Sequence, residues 1–148
     1  MYKRQALCAR CGAKVGRGRG RYFAFPGPED LLRAGERGLR ACGAGYRAPY
    51  LLDAARRVAD GRADLSAMAA LPDDALLEQL KTIHGVGVKV ASCVMLFGYH
   101  RLASAPVDVW IRRVIDEDYG GRSPFPAYGE HAGIFQQYLF YGRISQKG

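Results

Sequence analysis

The sequence predicts an all-α domain of about seven short helices. Three observations point there. Apolar residues recur at helical spacing, most plainly at Leu76, Leu77, Leu80 and Ile83. Strand-like alternation of polar and apolar residues is missing almost everywhere. Glycine, proline and aspartate interrupt the chain at intervals that suit short helices joined by turns.

Taken in order, residues 6–15 read as a helix, followed by the loop "GRGRGRYFAFPGP". Pro28 opens the next helix, with Glu29 and Asp30 in the first turn, where carboxylates favour the positive end of the helix dipole. Gly35 and Gly38 weaken that helix and should keep it short. The glycine-punctuated turn "CGAGYRAPY" leads into a helix over about 48–60, closed by Gly61. Asp64 caps a brief helix that ends before Pro72, and Asp73 caps "DALLEQLKTI". His84-Gly85-Val86-Gly87 precedes an apolar helix over 88–98, and Asp108 precedes another in "VWIRRVIDEDY". After the loop "GGRSPFPAYG", a last helix runs from about Glu130 to Arg143. No internal repeat or low-complexity tract appears.

At 148 residues the chain suits one domain with one core. With 49% apolar and 24% charged residues it has the profile of a soluble globular protein. No apolar run approaches the roughly 20 residues of a membrane span, and no secretion signal opens the chain. A cytoplasmic, nucleoid-associated protein is expected, with no membrane partner. The net charge is +8, and residues 1–24 hold seven basic side chains and no acid. Such an arm suits a polyanion such as nucleic acid. It also suits a foreign leader, and "MYKRQ" runs into a helical pattern without a capping signal. Residues 1–5 are therefore set apart from a domain over 6–148.

Cys8 and Cys11 form a C-x-x-C pair, but no second pair follows and the three histidines are not spaced as partners. Helical spacing puts both thiols on one face, where they pack as small apolar residues. Free thiols are expected.

The hairpin holds the strongest signal. Two glycines around Val86 allow positive φ and close approach, and the next helix offers backbone N–H groups to a phosphate oxygen. Lys89 follows in the first helical turn, where the dipole disfavours a cation. If Val90, Cys93 and the next helix wall it off, desolvation favours the neutral amine, which is a nucleophile. A solvated lysine on a phosphate is the alternative. Asp108, in "APVDVW", can be an ordinary helix cap. It can also be a carboxylate held charged beside that amine, as chemistry at a sugar C1′ requires.

"IHGVGVKVASCVMLF" followed by "APVDVWIRRV" resembles the helix-hairpin-helix DNA glycosylase superfamily. "CGAGYRAPY" and "HAGIFQQYLFYGR" resemble its 8-oxoguanine glycosylase/lyase branch, bacterial members above all. The resemblance covers nearly the whole chain beyond residue 5, in the family's order. It implies that Lys89 is a Schiff-base nucleophile and Asp108 its catalytic carboxylate. Cys93 and Phe140 match the walls that sandwich an extruded purine, and Gln136 matches the group that reads its Watson–Crick edge. Gly85, Val86 and Gly87 match the DNA-gripping hairpin, while Tyr46 and Arg47 match the wedge and the contact to the orphaned cytosine. The carbonyls of Lys81, Ile83 and Val86 match a site for a structural K+ or Na+. No cofactor is required, and the absence of a cysteine cluster after residue 93 disfavours the iron–sulfur branch. Each pocket residue has an ordinary alternative: Cys93 and Phe140 as core, Gln136 as a solvated neighbour of Gln137.

The chain also departs from the pattern. His84 replaces the hairpin's usual proline, and Trp110 stands where the eukaryotic branch has histidine. The family's antiparallel β domain and early helices have no counterpart before this chain's start, which implies a domain incomplete at its N-terminus. The implied activity is base-excision repair: removal of 8-oxoguanine from damaged double-stranded DNA by a monomer, then nicking by β-elimination. A non-catalytic DNA-binding module and an inactive fragment are the competing readings.

Overall fold

A computed structural model describes residues 3–16 and 22–145; Arg17, Arg19 and Arg21 of the basic arm lie outside the described residues. The described residues are mostly helical, with eight α-helices and one small ribbon. They fall into two compact units: residues up to Met68 with Ile83–Gly85, and Ala69–Thr82 with the chain from Val86 onward.

The first unit begins with α1 (Lys3–Cys11). Residues 3–5 form its first turn. The helix stops four residues before the expected end, because residues 14–15 pair instead. β1 (Lys14–Val15) and β2 (Tyr22–Phe23) run antiparallel, with Lys14 opposite Phe23 and Val15 opposite Tyr22. The Ala24 N–H donates to the Ala13 carbonyl at 2.9 Å and extends that pairing. Gly12, a poor helix former, marks the switch.

α2 (Pro28–Ala41) is longer than expected. Gly35 breaks it with φ 63° instead of ending it, and helical structure resumes beyond. The Asp30 carboxylate accepts the Gly27 N–H at 3.1 Å and secures the helix start. α2 packs on α3 (Ala48–Ala59), which follows a 3-10 turn at Gly45–Arg47. Leu7, Leu31, Leu39, Cys42 and Ala48 form the core of this unit. Each fully buried leucine contributes roughly 1.5–3 kcal/mol relative to exposure. α4 (Leu65–Met68) is capped by Asp64, whose Oδ1 accepts the Ser66 and Ala67 N–H groups at 2.9 Å each.

In the second unit α5 (Asp73–Lys81) packs on α6 (Val88–Gly98) through the buried Leu76 and Leu80. Asp73 does not cap α5. Pro72 takes the cap position, and the Asp73 carboxylate lies 3.4 Å from the Arg101 guanidinium. That guanidinium also donates to the carbonyls of Ala69 and Leu71, so the carboxylate serves a tertiary pairing. α7 (Val109–Asp118) packs on α8 (Ala132–Ser145). Ile111, Ile115, Phe125 and Ala132 make their shared core, with Phe135, Leu139 and Phe140 against it. A 3-10 segment, Phe125–His131, occupies the stretch expected to be loop.

α8 is seated by Gly133. Its N–H donates to the Leu102 carbonyl at 2.7 Å. A Cβ there would lie 2.3 Å from the Ser104 carbonyl oxygen and 2.8 Å from that of Leu102. Those atoms are backbone and cannot swing away. Gly133→Ala is expected to cost about 1–3 kcal/mol, the range of an overpacked core. A urea melt of the variant against the parent measures it.

Candidate active site

Asp108 is where the site begins. It holds an extended conformation before α7, and its Oδ1 accepts the Ile111 N–H at 2.9 Å. That bond fixes the carboxylate at the positive end of the helix. α6 starts from Gly87 with no side-chain cap, so its first turn, which includes Lys89, presents backbone N–H groups uncovered by a cap.

Lys89 and Asp108 line one cavity of about 170 Å³, together with Cys93, Gln136 and Phe140. An engineered cavity of about 150 Å³ holds benzene, so a space of this size accepts a flat ring. Five residues drawn from two helices, α6 and α8, and the cap of a third thus meet at one place. Lys89 and Asp108 do not form an ion pair within 4.0 Å in this arrangement.

Gln136 is 3% exposed. It is therefore not a solvated neighbour of Gln137; its Oε1 accepts a hydrogen bond from the Gln137 amide. A buried amide with a fixed partner is oriented, which a group that reads a ring edge must be. Phe140 is half-buried, with core residues on one side and the cavity on the other. Cys93 is a half-buried free thiol.

Three further residues line the cavity, Phe97, Pro106 and Gln137. Phe97 was legible in principle, since it lies one turn beyond Cys93 and two beyond Lys89 on the same face. For Lys89 the structure decides between the two environments the sequence leaves open. The lysine is exposed, as is Val90 at 41%, so no apolar wall encloses the amine. The first turn of α6 faces outward, and only its later turns pack inward at Ala91, Met95 and Leu96.

The hairpin glycines play different parts. Gly85 has φ 82°, and a Cβ there would lie 2.5 Å from the Tyr50 ring. Gly87 is extended at φ −94°, and a Cβ there would meet nothing within 4 Å. Positive φ is thus needed only at Gly85, whose missing side chain makes room for Tyr50. Gly87 leaves open space at the helix start. Val86 is half-buried.

His84 supplies what a proline could not. Its N–H donates to Asp53 Oδ2 at 3.0 Å, and its ring meets Tyr50 edge-on at 4.7 Å. Asp53 also accepts from Arg57 Nε at 2.8 Å. The His84 N–H, then Arg57, hold the Asp53 carboxyl below its ordinary 3.8.

Tyr46 and Arg47 stand in the 3-10 turn before α3, both exposed, with the guanidinium 4.7 Å from the Tyr46 ring centre. Lys81, Ile83 and Val86 lie along the connection from α5 to α6, where Ile83 is buried and the Lys81 amine pairs with Glu78 at 2.7 Å. Burial and the neighbouring Cys42 push the Cys11 thiol up, which suits a packing role over a reactive one.

A depressed carboxyl contributes stability above its unfolded value and loses it as pH falls through the folded one. The Asp53 contribution is therefore present above 3.8 and disappears below it. Asp53→Asn is expected to flatten the loss of stability on this acid limb and to lower stability at pH 7. Urea melts across pH 2–7 measure both effects (roughly the range over which a carboxylate titrates).

Residues 3–130 match the family described as HhH-GPD superfamily base excision DNA repair protein. A Methanothermobacter thermautotrophicus protein named "Probable N-glycosylase/DNA lyase" is 37% identical over 147 residues, covering 80% of this chain and 47% of its own. An N-glycosylase/DNA lyase of Saccharomyces cerevisiae is 38% identical over 109 residues, covering 66% of this chain and 29% of its own. The solved structure of Clostridium acetobutylicum 8-oxoguanine glycosylase/lyase, bound to double-stranded DNA with cytosine opposite 8-oxoguanine, superposes with a TM-score of 0.90 at 30% identity. It covers 99% of this chain and 54% of that one. The chain thus spans about half the length of the first of these relatives and of the solved structure. With the family match running from α1 to the approach of α8, this chain belongs to the HhH-GPD superfamily of base excision DNA repair proteins.

Proposed function

We propose that the chain carries the catalytic part of a bifunctional glycosylase/lyase that removes an oxidised purine, 8-oxoguanine by resemblance, from double-stranded DNA. One observation carries the reading: a single ring-sized cavity brings an amine and a carboxylate together with a buried amide and an aromatic wall. A phosphate-binding module needs none of the last three.

In the proposed chemistry the target base leaves the stack and enters the cavity, because C1′ is shielded inside the duplex. Phe140 and Cys93 flank the ring, and Gln136 reads its edge. The lone pair of the Lys89 amine attacks C1′, and the bond to the base breaks with its electron pair leaving on the base, which takes up the proton that the amine gives up. Asp108 stabilises the positive charge that develops on the sugar. Ring opening gives an imine between Lys89 and C1′. Loss of a C2′ proton then expels the 3′ phosphate and nicks the strand.

The amide-bearing start of α6 beyond Gly87 suits a DNA phosphate, with Gly85 and Val86 shaping the turn. Tyr46 and Arg47 suit a wedge and a contact to the unpaired base. The carbonyls of Lys81, Ile83 and Val86 are neutral oxygen donors of the kind that suits a hard cation, here K+ or Na+. Such an ion would add positive charge near a phosphate.

The exposure of Lys89 supports a second reading, in which it contacts phosphate and the chain only binds DNA. Borohydride separates the two. With abasic-site DNA, the chain is expected to form a covalent adduct that Lys89→Gln abolishes. Asp108→Asn is expected to slow adduct formation on lesion DNA by about 10²–10³, the usual cost of removing one electrostatic stabiliser. Salt-sensitive binding without any adduct would favour the second reading.

A further inference from the structure

Among the described residues, Gln136 is the only polar side chain that is buried. Its two ends are not equivalent. The carbonyl end, Oε1, accepts from Nε2 of Gln137, the next residue on α8. No described protein group accepts the hydrogens of the Gln136 Nε2, and that nitrogen is not sealed in the core. It opens onto the cavity that Gln136 lines with Lys89 and Asp108. An amide N–H left unpaired inside a protein costs free energy, which a ligand that accepts it restores. The cavity therefore suits a ring edge that carries an acceptor, and the remaining lone pair of Oε1 leaves room for a donor beside it.

Purine edges differ in this respect. A 6-oxopurine offers a carbonyl oxygen beside a ring N–H, whereas a 6-aminopurine offers an amino group beside a bare ring nitrogen. A glutamine amide can pair with either edge, in two orientations related by a half-turn of its end group. Whatever fixes that half-turn chooses the ring. Gln137 is half-buried and lines the same cavity, and the nitrogen it turns to Gln136 can only donate. Turning the Gln136 amide alone would set one NH2 group against another.

We propose that Gln137 is a positioning residue that sets the specificity of this cavity. By donating to Gln136 Oε1 it holds the Gln136 N–H groups toward the ligand, and so selects a 6-oxopurine edge over a 6-aminopurine edge. The proposal rests on the glycosylase/lyase reading of the cavity.

The experiment measures equilibrium binding to two duplexes that carry 8-oxoguanine or 8-oxoadenine on a 2′-fluoro sugar, which resists base release. The quantity read is the ratio of the two affinities. Each variant is compared with the parent on the same duplexes, so differences in base-pair stability cancel, and a general loss of packing does not move the ratio. Gln137→Glu offers an acceptor in place of the donor. The Gln136 amide should then turn its NH2 to the carboxylate and its carbonyl to the ring, and the preference for 8-oxoguanine should fall by about tenfold or more, the discrimination of a bidentate pair. Gln137→Lys keeps a donor and should retain the parent's ratio. Gln137→Met offers neither, frees the amide to turn, and should give an intermediate ratio.

A glutamate variant with the parent's ratio and a normal urea melt overturns the proposal. So does an equal fall in the lysine and glutamate variants, since donor polarity is then not what decides. If the glutamate variant does not fold, the other two settle the matter: a lower ratio in Gln137→Met with a parental ratio in Gln137→Lys supports the proposal, and equal ratios overturn it. If the ratios shift as expected but the parent releases no base from the unfluorinated duplexes and forms no borohydride adduct, the role of Gln137 stands and the glycosylase reading falls.

Discussion

A single hydrogen bond, from the Ile111 N–H to the Asp108 carboxylate, joins the fold to the proposed chemistry. It starts α7, and so sets Ile111 and Ile115 into the core that α8 closes. It also leaves Asp108 on the wall of the cavity that Lys89, from the start of another helix, lines as well. An N-cap aspartate usually serves its helix alone. Here the cap position and the cavity wall coincide, so the carboxylate can hold its place without a dedicated partner.

The hairpin shows the same economy. Gly85 turns with positive φ because the Tyr50 ring occupies the space a side chain would need. Asp53 takes the backbone N–H of His84, which no proline could offer. The departure from the family's usual residue thus comes with a compensating contact. A rigid ring is exchanged for a tertiary hydrogen bond, and the new anchor depends on a charged carboxylate where proline would not.

Much of this was legible in the sequence. The helical order, the caps at Asp64 and Asp108, and the grouping of Lys89 with Cys93 on one helical face follow from periodicity and capping chemistry. The missed features share a physical cause: they depend on what meets a residue from elsewhere in the chain. Residues 14–15 leave the helix for a strand partner at 22–23. Asp73 gives up its cap position to pair with Arg101. Gln136 looks like half of a solvated pair until α8 is seated by Gly133 and the side chain is buried. Whether Lys89 is enclosed or solvated stays open in the sequence, and the outward first turn of α6 leaves it exposed.

The central claim is that one particular amine, placed beside Asp108, forms a bond to the sugar. Peptide mapping by mass spectrometry of the borohydride-reduced adduct tests it most directly. The account predicts that the added sugar mass is found on Lys89, within the peptide that spans the start of α6. Modification at Lys81, at a residue of the basic arm, or at no lysine would contradict it.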